Sequence, residues 1–479
     1  MRWRGARGGT LNGPDVDLVV AGAGGGLVAA LRAAELGASV LVVDADGDFR
    51  RGNNTSMCTA MIPAAGTRWQ REANIDDSPD RFVADIARKT HGTADLLLAR
   101  ALADVSAPMV TWLADSLELD LHLVTDFRYP GHSADRCHTI AGRHGSQLLG
   151  HLVDRTRRHP GIELIAPMSL QNVSTTNGRV TGVEIASPDG ASEQVTAGAV
   201  LLATNGFGAD AELVRQWIPE IADCHYHGGQ YSRGDALRIG RALGADTAFL
   251  DAYQGHAALS SRCKTLVGWA TVLHGGIIVN REGRRFAPET TGYSEFAALL
   301  AAQPESAGWI IIDERIADLC STFDDFRTVA ENGGLVEAAS ARELAERLRL
   351  PADVLEDEIS ASHRAAAGLE PDRQGRIDDR HALTPNYIGI GITPALFHTQ
   401  GGLVVDGSAR VLDERDRAPI EGLYASGGAA TGISGNGAGG YLAGNGLITA
   451  LGLAFLAAED VGQQKAWAPG SASEFHAIG

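Results

Sequence analysis

The chain has 479 residues, long for one domain, and its 44% hydrophobic and 21% charged content suits a globular protein with a large core. Its 59 acidic residues outweigh 41 lysines and arginines, and the net charge of -18 excludes nucleic acid and anionic membrane as general partners. Five scattered cysteines, Cys58, Cys137, Cys224, Cys263 and Cys320, make no C-x-x-C, zinc or iron-sulfur pattern, so no metal site and a reduced, cytoplasmic chain are expected.

Residues 1–14 hold arginine and glycine without an apolar h-region; these and 466–479 are expected to be flexible termini. No apolar run of about 18 residues occurs, so membrane insertion is not expected. Leu18, Val19 and Val20 then form a buried strand, followed by the turn Ala21-Gly22-Ala23-Gly24-Gly25-Gly26 and a helix over 27–36 closed by Gly37. A second strand over 39–43 delivers Asp44.

This order suits a dinucleotide. Small residues let the backbone close on a pyrophosphate, the helix N-terminus supplies N-H groups, and a carboxylate about 20 residues on takes a ribose hydroxyl. The spacing to Gly37 and Asp44 favours Gly26 as the third glycine, with Ala21 and Ala23 in the first two places; the alternative frame uses Gly22, Gly24 and Leu27.

Residues 51–70 are rich in glycine, alanine and small polar side chains, which allows backbone to approach a flat ligand. Residues 79–118 and 145–158 read as helical. Short strands follow over 162–165, 170–174, 179–185 and 193–197, with turns at Asn177-Gly178 and Pro188-Asp189-Gly190, and a buried strand from Ala199 ends in a glycine turn. Strand pieces over 276–280 and 309–313 and helices over 336–349 and 351–366 make a middle part of different character. Strand pieces over 402–406, 410–413 and 422–427, a glycine-rich run to Gly446 and a helix over 447–458 close the chain.

Seven motifs in order resemble the flavoprotein superfamily of fumarate reductase, succinate dehydrogenase and the 3-ketosteroid dehydrogenases. They are the first turn with Asp44; Gly52-Asn53-Asn54-Thr55 with Ala64-Ala65-Gly66-Thr67; Ala203-Thr204-Asn205-Gly206; the stretch from Gly275 to Arg285-Phe286 with Glu289; His398-Thr399-Gln400-Gly401-Gly402; Gly422 to Gly427; and Gly444-Asn445-Gly446. The resemblance implies an α/β fold, a Rossmann-like FAD-binding domain (15–250 and 396–465) split in sequence by an α+β capping domain (251–395). FAD would lie with its pyrophosphate at Gly22, Ala23, Gly24, Gly25 and Gly26 and its ribose at Asp44 and Ala45. Its ring would lie between the Asn54 and Gly66 region and the last glycine loop. Thr204, Asn205, Gly206, Gly427, Gly428 and Leu447 complete the expected contacts. The helix starting near Leu447 would aim its N-terminus at the flavin. The histidine that tethers FAD covalently in some members is absent from 52–55, which implies noncovalent FAD.

Fumarate reductases hold a dicarboxylate with two arginines and two histidines. His256 and His398 match the histidines, whereas Tyr293 and Tyr441 stand where arginines are expected, as tyrosines do in 3-ketosteroid dehydrogenases. Carried over, Tyr293 is the acid or base, Tyr441 the electrophile, and His398 and His256 orient a carbonyl or carboxylate. Tyr129 and His132 could line the pocket, with a polar turn the preferred reading. The expected activity is α,β-dehydrogenation of a small cyclic ketone or oxo acid, with an unknown electron acceptor. The alternatives are reduction of an unsaturated acid and a flavoprotein electron-transfer subunit.

Overall fold

The computed structural model describes residues 14–378 and 380–467, so the expected flexible termini lie almost wholly outside the described residues. Val16–Ala21 sits inside the main sheet because apolar residues point to both of its faces; Leu18, Val19 and Val20 are fully buried. Val40–Val43 pairs with it in parallel on one side, and the C-terminal half of Ser192–Leu202 on the other. Ile162–Ile165 extends the sheet beyond Val40–Val43, and Pro419–Ala425 lies parallel to Val200, Leu201 and Leu202. The end of the chain therefore returns to the sheet begun at its start. Beside it an antiparallel meander joins Ser169–Thr176, Arg179–Ala186 and Ser192–Leu202, and Asn177 and Gly178 both take positive φ at its first turn.

A second sheet is organised on one long strand, Tyr387–Thr399. Tyr253–Ser260, Gly308–Asp313 and Leu335–Ala338 pair with it antiparallel, and Ile277–Asn280 extends it past Gly308–Asp313. The far end of the long strand brings His398 to the edge of the main sheet's cleft.

Several elements differ from the sequence reading. The helical span over 79–118 is two helices, Pro79–Lys89 and Leu96–Asp115, because His91 and Gly92 turn to positive φ and Asp95 caps the second by accepting from Leu97 and Leu98 N-H. Leu96–Asp115 is long and apolar enough to cross a membrane by composition, yet more than half of it is buried inside the protein. The helix expected from 336 begins only at Ala341. Leu335–Ala338 is a strand because Tyr387 to Ile390 offers it a partner, and Ser340 then caps the helix. The strands expected over 193–197 and from 199 are one, Ser192–Leu202. The last helix begins at Asn445, passes through a π turn at Ile448–Gly452 and runs on through Leu453–Trp467.

Candidate active site

The glycine-rich turn combines both frames. Gly22 adopts φ +115°, where a Cβ would collide with Ala203 O, so it supplies the left-handed turn. Gly26 lies where a Cβ would come within 2.7 Å of Val20 Cγ1, so it lets the first helix, Gly26–Glu35, pack on the sheet. One cleft is lined by Gly22, Gly24, Gly25, Gly26, Asp44, Ala45, Gly52, Asn53, Asn54, Thr55, Thr204, Asn205, Gly427, Gly428, Gly444, Gly446 and Leu447.

The cleft fits a dinucleotide cofactor on its own chemistry. Asp44 Oδ2 accepts from Ala23 N-H (2.7 Å) and Oδ1 from Asp46 N-H (2.9 Å), leaving acceptor sites for ribose hydroxyls, and burial lifts this carboxyl above its ordinary value. Asn53 Nδ2 and Thr204 Oγ1 are buried with no partner among the described residues, and both face the cleft. Asn54 fixes the cleft wall by accepting from Gly229 N-H (2.6 Å) and donating to Phe397 O (3.0 Å).

Six expected cofactor contacts do not line the cleft. Ala23 is buried, its N-H spent on Asp44. Ala64, Ala65 and Gly66 turn into the body, where Ala64 N-H donates to Arg136 O and Ala65 N-H to Ser106 Oγ. Gly206 abuts Thr399, with which a Cβ would collide. Asn445 is fully buried and donates to Ser434 Oγ at 3.0 Å.

Tyr293, Tyr441, His256 and His398 do come together on the cleft. The His256 ring is stacked between Tyr293 (4.7 Å) and Phe397 (5.2 Å). Tyr441 meets Tyr293 and His398 edge-on, each at 5.9 Å. Gly446 N-H donates to the Tyr441 hydroxyl (3.2 Å), and a Cβ at Gly446 would lie 2.8 Å from His398 Nε2, so only glycine lets both side chains close in.

Hydrogen bonds set which nitrogens donate. Ala258 N-H donates to His256 Nδ1 at 3.0 Å, which puts the ring proton on Nε2. Ser434 Oγ donates to Gln400 Oε1 (3.0 Å), turning Gln400 Nε2 onto His398 Nδ1 at 2.9 Å; this contact is shorter than the 3.3 Å from Nδ1 to Thr399 O, and it assigns the His398 proton to Nε2. Burial lowers His256 to about 3 and His398 to about 4, and both rings are neutral donors at pH 7. Burial, reinforced by Tyr441, Tyr129 and Cys137, raises Tyr293 well above the ordinary phenol range, and burial raises Tyr441 too.

Trp269 and Arg143 escaped the sequence reading, and Tyr129 was set aside in it in favour of a turn. Tyr129 does open the expected turn, its carbonyl accepting from His132 N-H at 3.3 Å, but its ring lines the cleft and packs edge-on against Tyr293 at 6.2 Å. Its neighbour His132 is buried away from the cleft against Ala443 O (3.1 Å). Trp269 faces the cleft beside His256, its Nε1 buried and unpartnered among the described residues. Arg143 is the one arginine or lysine among the described residues lining the cleft, but it is already engaged. Both of its terminal nitrogens pair with Asp126 at 3.0 Å, and its guanidinium lies over Phe127 (5.6 Å) and Phe323 (5.1 Å).

The model of the FAD binding domain family, FAD_binding_2, matches residues 17–447. NADH:fumarate oxidoreductase of Klebsiella pneumoniae is 28% identical over 425 residues, covering 88% of this chain but 45% of the relative, so the chain spans less than half of that protein. Fumarate reductase of Schizosaccharomyces pombe is 28% identical over 442 residues, 87% of this chain and 84% of its own. The 4-oxocyclohexanecarboxylate 2-dehydrogenase of Sinomonas cyclohexanicum is 25% identical over 517 residues, 86% of this chain and 87% of its own. The open conformation of a flavocytochrome c3 fumarate reductase superposes with a TM-score of 0.76 at 24% identity, covering 94% of this chain and 78% of that one. The 3-ketosteroid-delta4-(5alpha)-dehydrogenase from Rhodococcus jostii RHA1 gives 0.73 at 23% identity, covering 95% and 98%. These two structures establish a shared fold.

Proposed function

Because the chain belongs to the FAD binding domain family, we propose that this FAD-dependent oxidoreductase introduces a double bond beside the carbonyl of a small cyclic ketone. The observation that carries this reading is the meeting of Tyr441 and His398 at Gly446, with Tyr293 packed against Tyr441.

The hydroxyl of Tyr441, strengthened as a donor by the Gly446 N-H it accepts, and His398 Nε2-H converge on the site of a carbonyl oxygen. Two donors there stabilise the enolate that forms when an α-proton leaves. Tyr293, packed against Tyr441, takes that proton as its own hydroxyl proton leaves, and the stacked His256 holds the Tyr293 ring in place. When bound, FAD supplies the acceptor for the hydride from the adjacent carbon. Gly22 to Gly26, Asp44, Asn53 and Thr204 would hold it, noncovalently because 52–55 has no histidine.

The single cation on the cleft weighs against a dicarboxylate, since Arg143 is already neutralised by Asp126. In this reading 15–250 and 396–465 bind the cofactor and 251–395 cover the substrate, with Tyr387–Thr399 crossing between them.

Anaerobic mixing of the yellow protein with cyclohexanone and 4-oxocyclohexanecarboxylate should bleach the flavin band, and Tyr293→Phe should slow bleaching about 100- to 10,000-fold with folding intact. A loss of less than about tenfold would reduce Tyr293 to a packing residue. Oxidation of dye-reduced enzyme by fumarate, with no response to ketones, would favour the unsaturated-acid reductase.

A further inference from the structure

The tyrosines that form one wall of the substrate cleft also wall a second, much smaller cavity. It has about 10 Å³, room for a single water, and Tyr129, Tyr293 and Tyr441 separate it from the cleft. Its remaining wall includes Thr291, Lys89 and Glu295. Lys89 Nζ donates to Thr291 O at 2.9 Å and pairs with Glu295 at 3.4 Å. The Lys89 side chain is 16% exposed and that of Glu295 42%, so the pair reaches solvent at its outer side.

On the reading proposed above, each turnover passes one proton through the Tyr293 hydroxyl, and on the cleft side the ligand stands between that hydroxyl and bulk water. We propose that the small cavity is the proton exit of the active site, with Glu295 the relay between its water and bulk solvent and Lys89 the residue that positions it. As the α-C-H bond breaks, its proton forms a new O-H bond at Tyr293 while the hydroxyl's own O-H bond breaks and that proton passes to the cavity water. The water passes one to the Glu295 carboxylate, which releases it to solvent, and Tyr293 ends as the phenol it began. One proton leaves per turnover and no electrons move on this leg. The same path run backward reprotonates Tyr293 in the reductive direction. The bland rival is a staple: Lys89 ends the helix Pro79–Lys89, Glu295 lies in the first turn of Tyr293–Ala301, and their pair could merely tie the two together.

Hydrogen exchange separates the two. With the holoenzyme held reduced by dithionite in deuterium oxide, the α-hydrogens of cyclohexanone exchange through Tyr293 without consumption of the ketone, and proton NMR follows their loss. Glu295→Gln keeps the shape and can still bond Lys89, but it cannot carry a proton. It should slow exchange about tenfold or more while cyclohexanone binding, read from the shift of the flavin band, changes by less than about twofold. Glu295→Asp should restore much of the rate, and Lys89→Gln should slow exchange in the same direction by a smaller factor. Exchange at the wild-type rate in both Glu295→Gln and Lys89→Gln overturns the relay and leaves the ketone reading standing. Wild-type exchange no faster than that of Tyr293→Phe overturns the role of Tyr293 itself, and the relay with it.

Discussion

Two buried polar clusters lie four residues apart in sequence and are built on opposite plans. In the first, every charge is paired, and among its described side chains Arg380 Nε alone lacks a hydrogen bond: Glu289 takes Arg285 through both oxygens (2.9 and 2.6 Å) and Ile278 N-H at 3.0 Å. Asp372 binds Arg285 and Arg380, and Arg376 binds Asp378, Gly276 O and Val272 O. In the second, Tyr293, Tyr441, Tyr129, His256 and His398 meet as rings, with no ion pair among them, and Trp269 Nε1 is left without a partner among the described residues. The saturated cluster can only hold the fold; the unsaturated one has donors and acceptors left for a ligand. The motif Arg285-Phe286 with Glu289 belongs to the first plan and anchors the loop from which Tyr293 enters the second.

The largest effect should come from breaking the saturated cluster. Glu289→Ala leaves Arg285 buried with part of its compensation gone and should cost about 3 to 5 kcal/mol of stability in urea unfolding of the FAD-bound protein. Tyr441→Phe attacks the other cluster and should do the reverse, slowing ketone-driven flavin bleaching about 100- to 1,000-fold while costing about 1 kcal/mol of stability. Similar stability losses in the two variants would erase the distinction. Asp44→Ala should weaken FAD binding by about 1 to 3 kcal/mol in a fluorescence titration, and acid precipitation should release intact FAD from the wild type.

Acidification should separate the clusters without mutation. Burial lowers His256 to about 3 and His398 to about 4, against about 6.5 when unfolded, and lowers His132, His138 and His227 to about 4 too, so the unfolded state binds more protons between those limits and stability falls as pH drops from about 6.5 to about 4, with the site histidines supplying part of the fall. Asp372, held by Arg285, is depressed to about 2, so its contribution is intact above its unfolded value near 4 and is lost only below that, as pH falls toward 2. Urea midpoints at successive pH values should fall already in the upper window, and His256→Gln should flatten that part of the curve. A flat wild-type profile between pH 6.5 and 4 would show that the folded and unfolded chains take up these protons alike, and so that burial does not lower the histidines.

The cofactor turn was legible because its information is local: strand, glycines, helix and Asp44 lie within 30 residues of one another. The tyrosines and histidines of the cleft were legible only through the resemblance, since Tyr293 and Tyr441 come from separate segments that the fold alone unites. Tyr129 was lost because Pro130 and Gly131 make its neighbourhood look like an exposed turn, whereas the contact that matters is with a ring 164 positions away. The strand Leu335–Ala338 was read as helix because its neighbours are good helix formers and its pairing partner lies some fifty residues downstream. Lys89 and Glu295, 206 positions apart, left no sequence signal at all.

The return of Pro419–Ala425 to the main sheet bears on how the chain is made. During synthesis the edge formed by Val200, Leu201 and Leu202 must wait for its neighbour until the ribosome has passed residue 425, with the whole middle sheet emerging in between. Open strand edges attract other chains, and long-range pairing forms slowly. The nascent protein is therefore most exposed to mispairing late in translation, and the last strand to emerge both finishes the sheet and protects it.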